Sequence, residues 1–477
     1  MFDAFVAFQA RLQPRAMAVQ SSTRQATYAE LDADVNRFAN ALTSLGVTPS
    51  DGVISIDEEP YLHCVCLLAL ARMGVTSSPA SDDRADARLS DYERAGPPRS
   101  LWLTPEWIAE TLASESVQFA PAPRDPDMPG RVMLSSGTTK GPRRVGLSWR
   151  RVEAGLRSVA ATYGAGRAGR WIPYTGIDSI MGFHTALAGW AAGGTVVVGV
   201  GMQDLPQALE NLQPSLLAFT PTFLRTLLKH LPPDFVVQPG LRVVVGAGPL
   251  PQSVAREARL RLSPDLKVIY GATECSGAAS VDAALLETTP GIAGYAAPGV
   301  RVLVVDPDGV PVPADVQGEV RIESERAASA YIDDAAETAA TFRNGGFYPG
   351  DLGRMTADGL LVIDGRLDDR MNLGGYKFQP TTLDDVVLDC PGVADAAAFA
   401  VPDAAGIDQC WLAVVPGAGF DRADLLRRLQ EHRPPLPPLR FAFTEKIPRN
   451  AMGKVERQRL RGETMAALGA EPGQASS

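Results

Sequence analysis

A recurring unit constrains this chain more than any other feature: a helix-patterned segment leads through glycine into a short β-branched strand. Trp190 to Val200 runs from a helical pattern through Gly193-Gly194 into Thr195-Val196-Val197-Val198, and Leu241 to Val245 forms a second such strand ending at Gly246-Ala247-Gly248. Nearer the amino terminus, Tyr28 to Leu42 places apolar residues at helical spacing, Gly46 closes that helix, and Val53 to Ile56 reads as a buried strand. Strands alternating with helices require crossover connections. The expected fold is therefore mixed α/β, with twisted, mainly parallel sheets covered on both faces.

From Val300 the texture changes to short strands and tight turns, as in Val302 to Gly309 and Gly318 to Ile322, which predicts a small antiparallel, β-barrel-like unit. A fresh α/β pattern begins after Gly365-Arg366. The expected division is an amino-terminal domain over 1–365, a hinge at 366–368 and a small mobile α/β domain over 369–477, its tail from 469 disordered.

Composition narrows the partners. With 45 basic against 55 acidic residues the formal charge is -10, which repels polyanions and argues against nucleic acid as a ligand. No uncharged apolar run is long enough to span a bilayer, and the amino terminus lacks the basic and apolar segments of a secretory signal. The five cysteines are odd in number and scattered, as suits reduced thiols, so the expected location is the cytoplasm.

Four segments carry chemistry. The first, Ser135-Ser136-Gly137-Thr138-Thr139-Lys140-Gly141-Pro142, offers hydroxyls and close backbone N–H groups to phosphate oxygens, with Lys140, Arg143 and Arg144 supplying positive charge. It lacks Walker spacing, and by itself it reads more readily as a surface turn. In the second, Tyr270-Gly271-Ala272-Thr273-Glu274, an apolar strand ends in an aromatic ring able to stack on a base and a carboxylate able to hold Mg²⁺. A plain strand end followed by a capped helix explains it equally well. The third is Tyr348-Pro349-Gly350-Asp351, whose acid suits ribose hydroxyls, followed by Gly365-Arg366-Leu367-Asp368-Asp369. The fourth, Pro448-Arg449-Asn450-Ala451-Met452-Gly453-Lys454, ends in a lysine that would pass alone for a surface charge.

In fixed order, these segments make the chain resemble the adenylate-forming superfamily of acyl-CoA synthetases, peptide-synthetase adenylation domains and luciferases, from Tyr28 to Leu460. The resemblance implies that residues Ser135 to Thr139, Thr138 among them, hold the β- and γ-phosphates of ATP. Tyr270 would stack on adenine beside Gly246-Ala247-Gly248, Glu274 would hold Mg²⁺, Asp351 would bind ribose, and Arg366 would reach ribose or phosphate. Lys454 would bridge the acid and the α-phosphate, Asp368 would be the hinge, and Gly374-Gly375 would let a pantetheine arm pass. The implied activity is acid–CoA ligation through an acyl-adenylate, with a carrier protein's phosphopantetheine as the alternative acceptor and a nucleotide-binding pseudoenzyme as the second alternative.

Departures from the family pattern fall in two places. Lys140, Arg143 and Arg144 stiffen the phosphate loop, and Pro349 removes a hydroxyl before Gly350-Asp351. The acid-binding gate is irregular: after Tyr174 the chain reads Thr175-Gly176-Ile177-Asp178, where Asp178 is either a ligand for a substrate amino group or a plain loop acid. His184 reads as structural. Tyr174, Gly176, Phe219, Thr222, Phe223, Gly271, Cys275, Ser276 and Gly277 are the expected walls of the acid pocket, mostly small or apolar, which predicts an uncharged aliphatic or aromatic acid.

Overall fold

The structure, a computed structural model, describes residues 2–49, 52–55, 59–79, 99–101, 105–114, 116–121, 124–135, 143–164, 169–332, 334–373, 376–403, 407–432, 435–450 and 453–470. Its largest sheet has a parallel centre, running Asp265–Ala272, Arg242–Val245, Leu216–Phe219, Arg170–Ile172, Thr195–Val197 and Met17–Gln20 from neighbour to neighbour. Each of these strands is apolar on both faces. Leu216, Ala218 and Val244 pack to one side, whereas Leu217, Phe219, Val243 and Val245 pack to the other, so successive side chains feed two separate cores.

Helices Pro60–Met73, Trp149–Tyr163 and Ile180–Ala191 fill the first core, between this sheet and a second sheet of Arg99–Leu101, Gly52–Ser55, Thr76–Pro79, Pro129–Ser135 and Arg143–Ser148. Helices Leu205–Leu212, Pro221–His230 and Gln252–Arg261 cover the other face. Gly194 shows why the sequence repeats glycine before its strands: a Cβ there would lie 2.6 Å from the Gly169 carbonyl oxygen, and the Tyr28 hydroxyl donates to Gly194 O at 2.7 Å.

Beyond Asp265–Ala272 the large sheet turns antiparallel, through Ser276–Asp282, Ile292–Ala296, Leu361–Arg366, Asp351–Met355 and Gly318–Ser324. This is the region expected to be barrel-like. Among the described residues it does not close on itself, because its last strands, Phe342–Arg343 and Gly346–Phe347, pair in a short hairpin at an open edge. From Met371 onward the strands pair only with one another: Met371–Leu373 with Tyr376–Phe378, and Val393–Pro402 with Asp408–Pro416 and Leu439–Phe443. They enclose apolar clusters of their own around Leu383, Leu412 and Phe399. The helix Arg457–Ala470 extends two residues into the predicted tail. All five cysteines are buried and none is in a disulfide, and no described helix is long and apolar enough to cross a membrane.

Candidate active site

Open parallel sheets leave a crevice at the carboxyl ends of their strands, and Gly246, Ala247 and Tyr270 to Glu274 lie at such ends. After Arg242–Val245, Gly246 passes so close to its neighbours that a Cβ would sit 3.1 Å from Ile269 O and 3.2 Å from Met181 Sδ. Ala247 next to it adopts a left-handed backbone with φ 69°. One strand over, a Cβ on Gly271 would lie 2.0 Å from Ser276 O, and Ser276 is itself left-handed at φ 62°. Two non-glycine residues in this strained region mark the crevice as a place where backbone position outweighs local comfort.

Asp351 starts the strand Asp351–Met355 and lies beside Tyr270, whose hydroxyl donates to Asp351 Oδ2 at 2.7 Å. Arg366 is its register partner on the adjacent strand, with Nε 3.9 Å from Asp351 Oδ1 and Nη2 donating to Pro349 O at 2.9 Å. Burial pushes the Asp351 carboxyl above its ordinary pKa, against the pull of Arg366, the Tyr270 hydroxyl and Lys454. Burial, aided by Asp351, likewise raises Tyr270 well above the usual phenol. Glu274, 6% exposed, accepts the Tyr331 hydroxyl proton at 2.8 Å on Oε1, and its backbone carbonyl accepts from Ala328 N at 2.7 Å.

Lys454 arrives from a different part of the chain. It closes a turn in which Asn450 N donates to Lys454 O, Lys454 N donates to Asn450 Oδ1, and Gly453 stands at φ 77°. Thr222, at the start of helix Pro221–His230, donates from Oγ1 to Gly453 O at 3.1 Å, so this residue docks the turn. Arg449 reinforces the contact, donating to Gly453 O at 2.7 Å while its other nitrogens hold Asp395. The lysine is thereby brought within electrostatic reach of Arg366, Asp351, Glu274 and Asp369. Its pKa is held below the usual amine value, first by burial and then by Arg366.

The acid-binding side departs most from expectation. Tyr174 packs edge-on against Phe219 and Phe223, with ring centroids 4.9 and 5.4 Å away, and together with Gly176 and Asp178 it lines a cleft of about 360 Å³. Asp178, however, is already engaged: the buried Arg131 donates to its Oδ1 at 2.9 Å, and His63 Nε2 lies 3.0 Å from the same oxygen. Burial alone would raise this carboxyl, yet His63 and Arg131 outweigh it and hold the pKa low. Arg131 and His63 thus both engage Oδ1 of the acid that a substrate amino group would need.

Ser135 is buried, with no partner for its hydroxyl among the described residues, at the end of the strand Pro129–Ser135. Ser136, Gly137, Thr138, Thr139 and Lys140 lie outside the described residues, as do Gly374 and Gly375. Thr273 and Cys275 sit in the turn after Tyr270, with Cys275 buried. Asp368 lies in the turn after Leu361–Arg366, which is tied down by Leu367 N to Gly350 O at 2.8 Å. Tyr331, Arg131 and Arg326 escaped the sequence reading. Each is a single polar residue in an unremarkable segment, and only the tertiary contacts give it a role.

The chain belongs to the AMP-binding enzyme family, whose model matches residues 6–332. It is 27% identical to a fatty acid–[acyl-carrier-protein] ligase, ScoC, of Streptomyces coeruleorubidus over 95% of this chain and 94% of that one. It is also 27% identical to an indoleacetate–CoA ligase of Aromatoleum aromaticum, covering 95% and 96% of the two chains. Among solved structures, ATP-bound MatB from Rhodopseudomonas palustris shares the fold at a TM-score of 0.83 and 24% identity, over 96% of this chain and 98% of that one.

Proposed function

We propose that this protein is an AMP-forming carboxylic acid–thiol ligase, which activates an organic acid with ATP to an acyl-adenylate and then passes the acyl group to a pantetheine thiol, by default that of CoA. The observation that carries this reading is the docking of Gly453 on Thr222, which delivers Lys454 to Asp351, Glu274 and Arg366. In-line attack of a carboxylate on an α-phosphate joins two anions while pyrophosphate departs. Positioning the two can supply roughly 7–11 kcal/mol, and cations held in a partly dry site stabilise the charge that develops.

Lys454 would lie between the acid's carboxylate and the α-phosphate, and Arg366 would neutralise charge beside the ribose that Asp351 holds. Glu274 fits a magnesium ion, because it is a buried carboxylate with one oxygen fixed by Tyr331. That ion would draw its remaining ligands from phosphates and water, and would neutralise the leaving pyrophosphate. The buried, unpartnered Ser135 hydroxyl suits a phosphate oxygen. Rotation of 369–477 about Asp368 would withdraw Lys454 and admit the thiol past Gly374-Gly375. A carrier protein is the second acceptor considered, on the strength of the acyl-carrier-protein ligase among the relatives. Location in the cytoplasm is part of the same reading.

Acid-dependent ATP–pyrophosphate exchange over a panel of aliphatic, aryl and amino acids tests it, followed by addition of CoA or a phosphopantetheinylated carrier protein. Exchange with at least one acid is expected, and then consumption of one thiol. ATP binding without exchange for any acid would reject the reading in favour of a pseudoenzyme.

A further inference from the structure

Arg326 is 3% exposed, and both of its terminal nitrogens, Nη1 and Nη2, lack a hydrogen-bond partner among the described residues. Its Nε donates to Ser324 Oγ at 3.2 Å, which fixes the side chain but neutralises nothing. Glu325, whose charge it feels, is its exposed chain neighbour and forms no ion pair with it. A guanidinium taken out of water without a counter-charge is among the costliest arrangements a fold can hold. Such a group is stable only if something anionic completes it.

Its surroundings locate the missing partner. The segment is tied to the candidate site by Ala328 N donating to Glu274 O, and by the Tyr331 hydroxyl on Glu274 Oε1. The charge of Arg326 bears on the Cys275 thiol and on His184. His184 is 2% exposed, shares a 3.1 Å hydrogen bond with Ser276 Oγ through Nδ1, and leaves Nε2 without a partner among the described residues. Burial, and then Arg326, push the His184 pKa down to about 3, so a neutral imidazole stands next to a cation. Cys275 and Ser276 follow directly on Tyr270 to Glu274, so a cation with two donors unpartnered among the described residues adjoins the candidate site.

We infer that Arg326, with His184 beside it, recognises a second anionic group on the acid substrate, so that the acid activated here is a dicarboxylic acid. One carboxylate goes to Lys454 and the other to Arg326. This inference rests on the acid-activating reading and reverses the uncharged acid expected from the apolar walls. An Arg placed just after a strand reads in sequence as a surface charge; its burial gives it this meaning.

The test compares mono- and dicarboxylic acids of matched chain length in ATP–pyrophosphate exchange, for the wild type and Arg326→Met, which keeps most of the volume. The wild type is expected to favour the dicarboxylic acid, and Arg326→Met to lose on the order of 100-fold in kcat/KM for it and prefer the monocarboxylic partner, because a site built around a polar group rejects the mismatched ligand strongly. An unchanged preference in the variant would overturn the inference. So would a loss confined to KM for ATP and equal for every acid, which would put a nucleotide phosphate on Arg326. Thermal shift with each acid alone reads binding without turnover, and separates this inference from the catalytic reading. Stabilisation of the wild type by the dicarboxylic acid, absent in Arg326→Met, supports it even where no exchange occurs, and equal shifts in both proteins refute it.

Discussion

Arg131 and Arg326 lie equally deep, 2% and 3% exposed, and their surroundings could hardly differ more. Arg131 spends its donors inside the fold, on Asp178 Oδ1, Ile177 O and Ser77 Oγ, and its guanidinium lies 5.3 Å from the centre of the Phe183 ring. Among the described residues Arg326 has only Ser324. The first cation is part of the scaffold, and it engages Asp178 through Oδ1. The second is left incomplete beside the crevice. Buried charge is informative according to what neutralises it, and a cation without an internal counter-ion points to a ligand. Lys454 is a third case, since Asp351, Glu274 and Asp369 draw on its charge although it forms no close ion pair with any of them.

The sharpest way to break this comparison is Lys454→Ala. If Lys454 serves a ligand and not the fold, adenylate formation should fall on the order of 10²–10³-fold, the usual cost of removing one preorganised charge-stabilising donor. Thioester formation from a supplied acyl-adenylate should survive largely intact. Equal losses in the two half-reactions, measured separately, would show that the lysine acts by supporting structure.

Arg131→Met probes the scaffold cation. It strands Asp178 with His63 alone and should cost about 3 kcal/mol in urea unfolding, the low end for a broken buried pair because 43% of the Asp178 side chain still meets solvent. Arg326→Met should leave stability unchanged or raise it, because the cation removed has no partner to abandon. Similar destabilisation by both substitutions would erase the distinction between them.

Gly453→Ala tests the docking that delivers Lys454. A Cβ there would lie 2.6 Å from Thr222 Cβ and Oγ1, on a residue with φ 77°, so steric clash and a left-handed penalty of about 1–2 kcal/mol act together. Pyrophosphate exchange should fall by roughly 10-fold, in line with that penalty, with little change in the thiol step. An unaffected exchange rate would mean that the turn reaches its place without Thr222.

How far this was legible in the sequence depended on whether a residue's role is local. The α/β alternation could be read because period, glycine and β-branching are properties of neighbouring residues, and the strands ending at Val197 and Val245 fell where those patterns put them. Tyr270, Asp351 and Arg366 could be read because ordered motifs mark them, and the fold brings all three together. The open antiparallel edge could not, since closure depends on which strands find partners. Asp178 could not be read either: its partners come from positions 47 and 115 residues away. Nor could Arg326, for which the decisive fact is the absence of a counter-ion.

The smallest expected effect extends the comparison to the two acids, whose pKa values move in opposite directions. Asp178 is held below the usual aspartate value of 3.8, since His63 and Arg131 outweigh its burial, so its charged form stabilises the fold. That contribution is fully present above 3.8 and is lost as the pH falls further, through the lower folded value. Asp351 is held above 3.8 because burial outweighs Arg366, Tyr270 and Lys454, so its charged form burdens the fold at neutral pH, and the burden lifts as the pH falls towards 3.8. Asp178→Asn should therefore lower Tm at pH 7 and Asp351→Asn should raise it. At about pH 4 the Asp351 difference should have nearly closed while most of the Asp178 difference persists, because only the first group takes up its proton above the unfolded value. Two differences of the same sign at neutral pH would show that Asp351, like Asp178, is satisfied within the fold, and would leave the ribose without its acid.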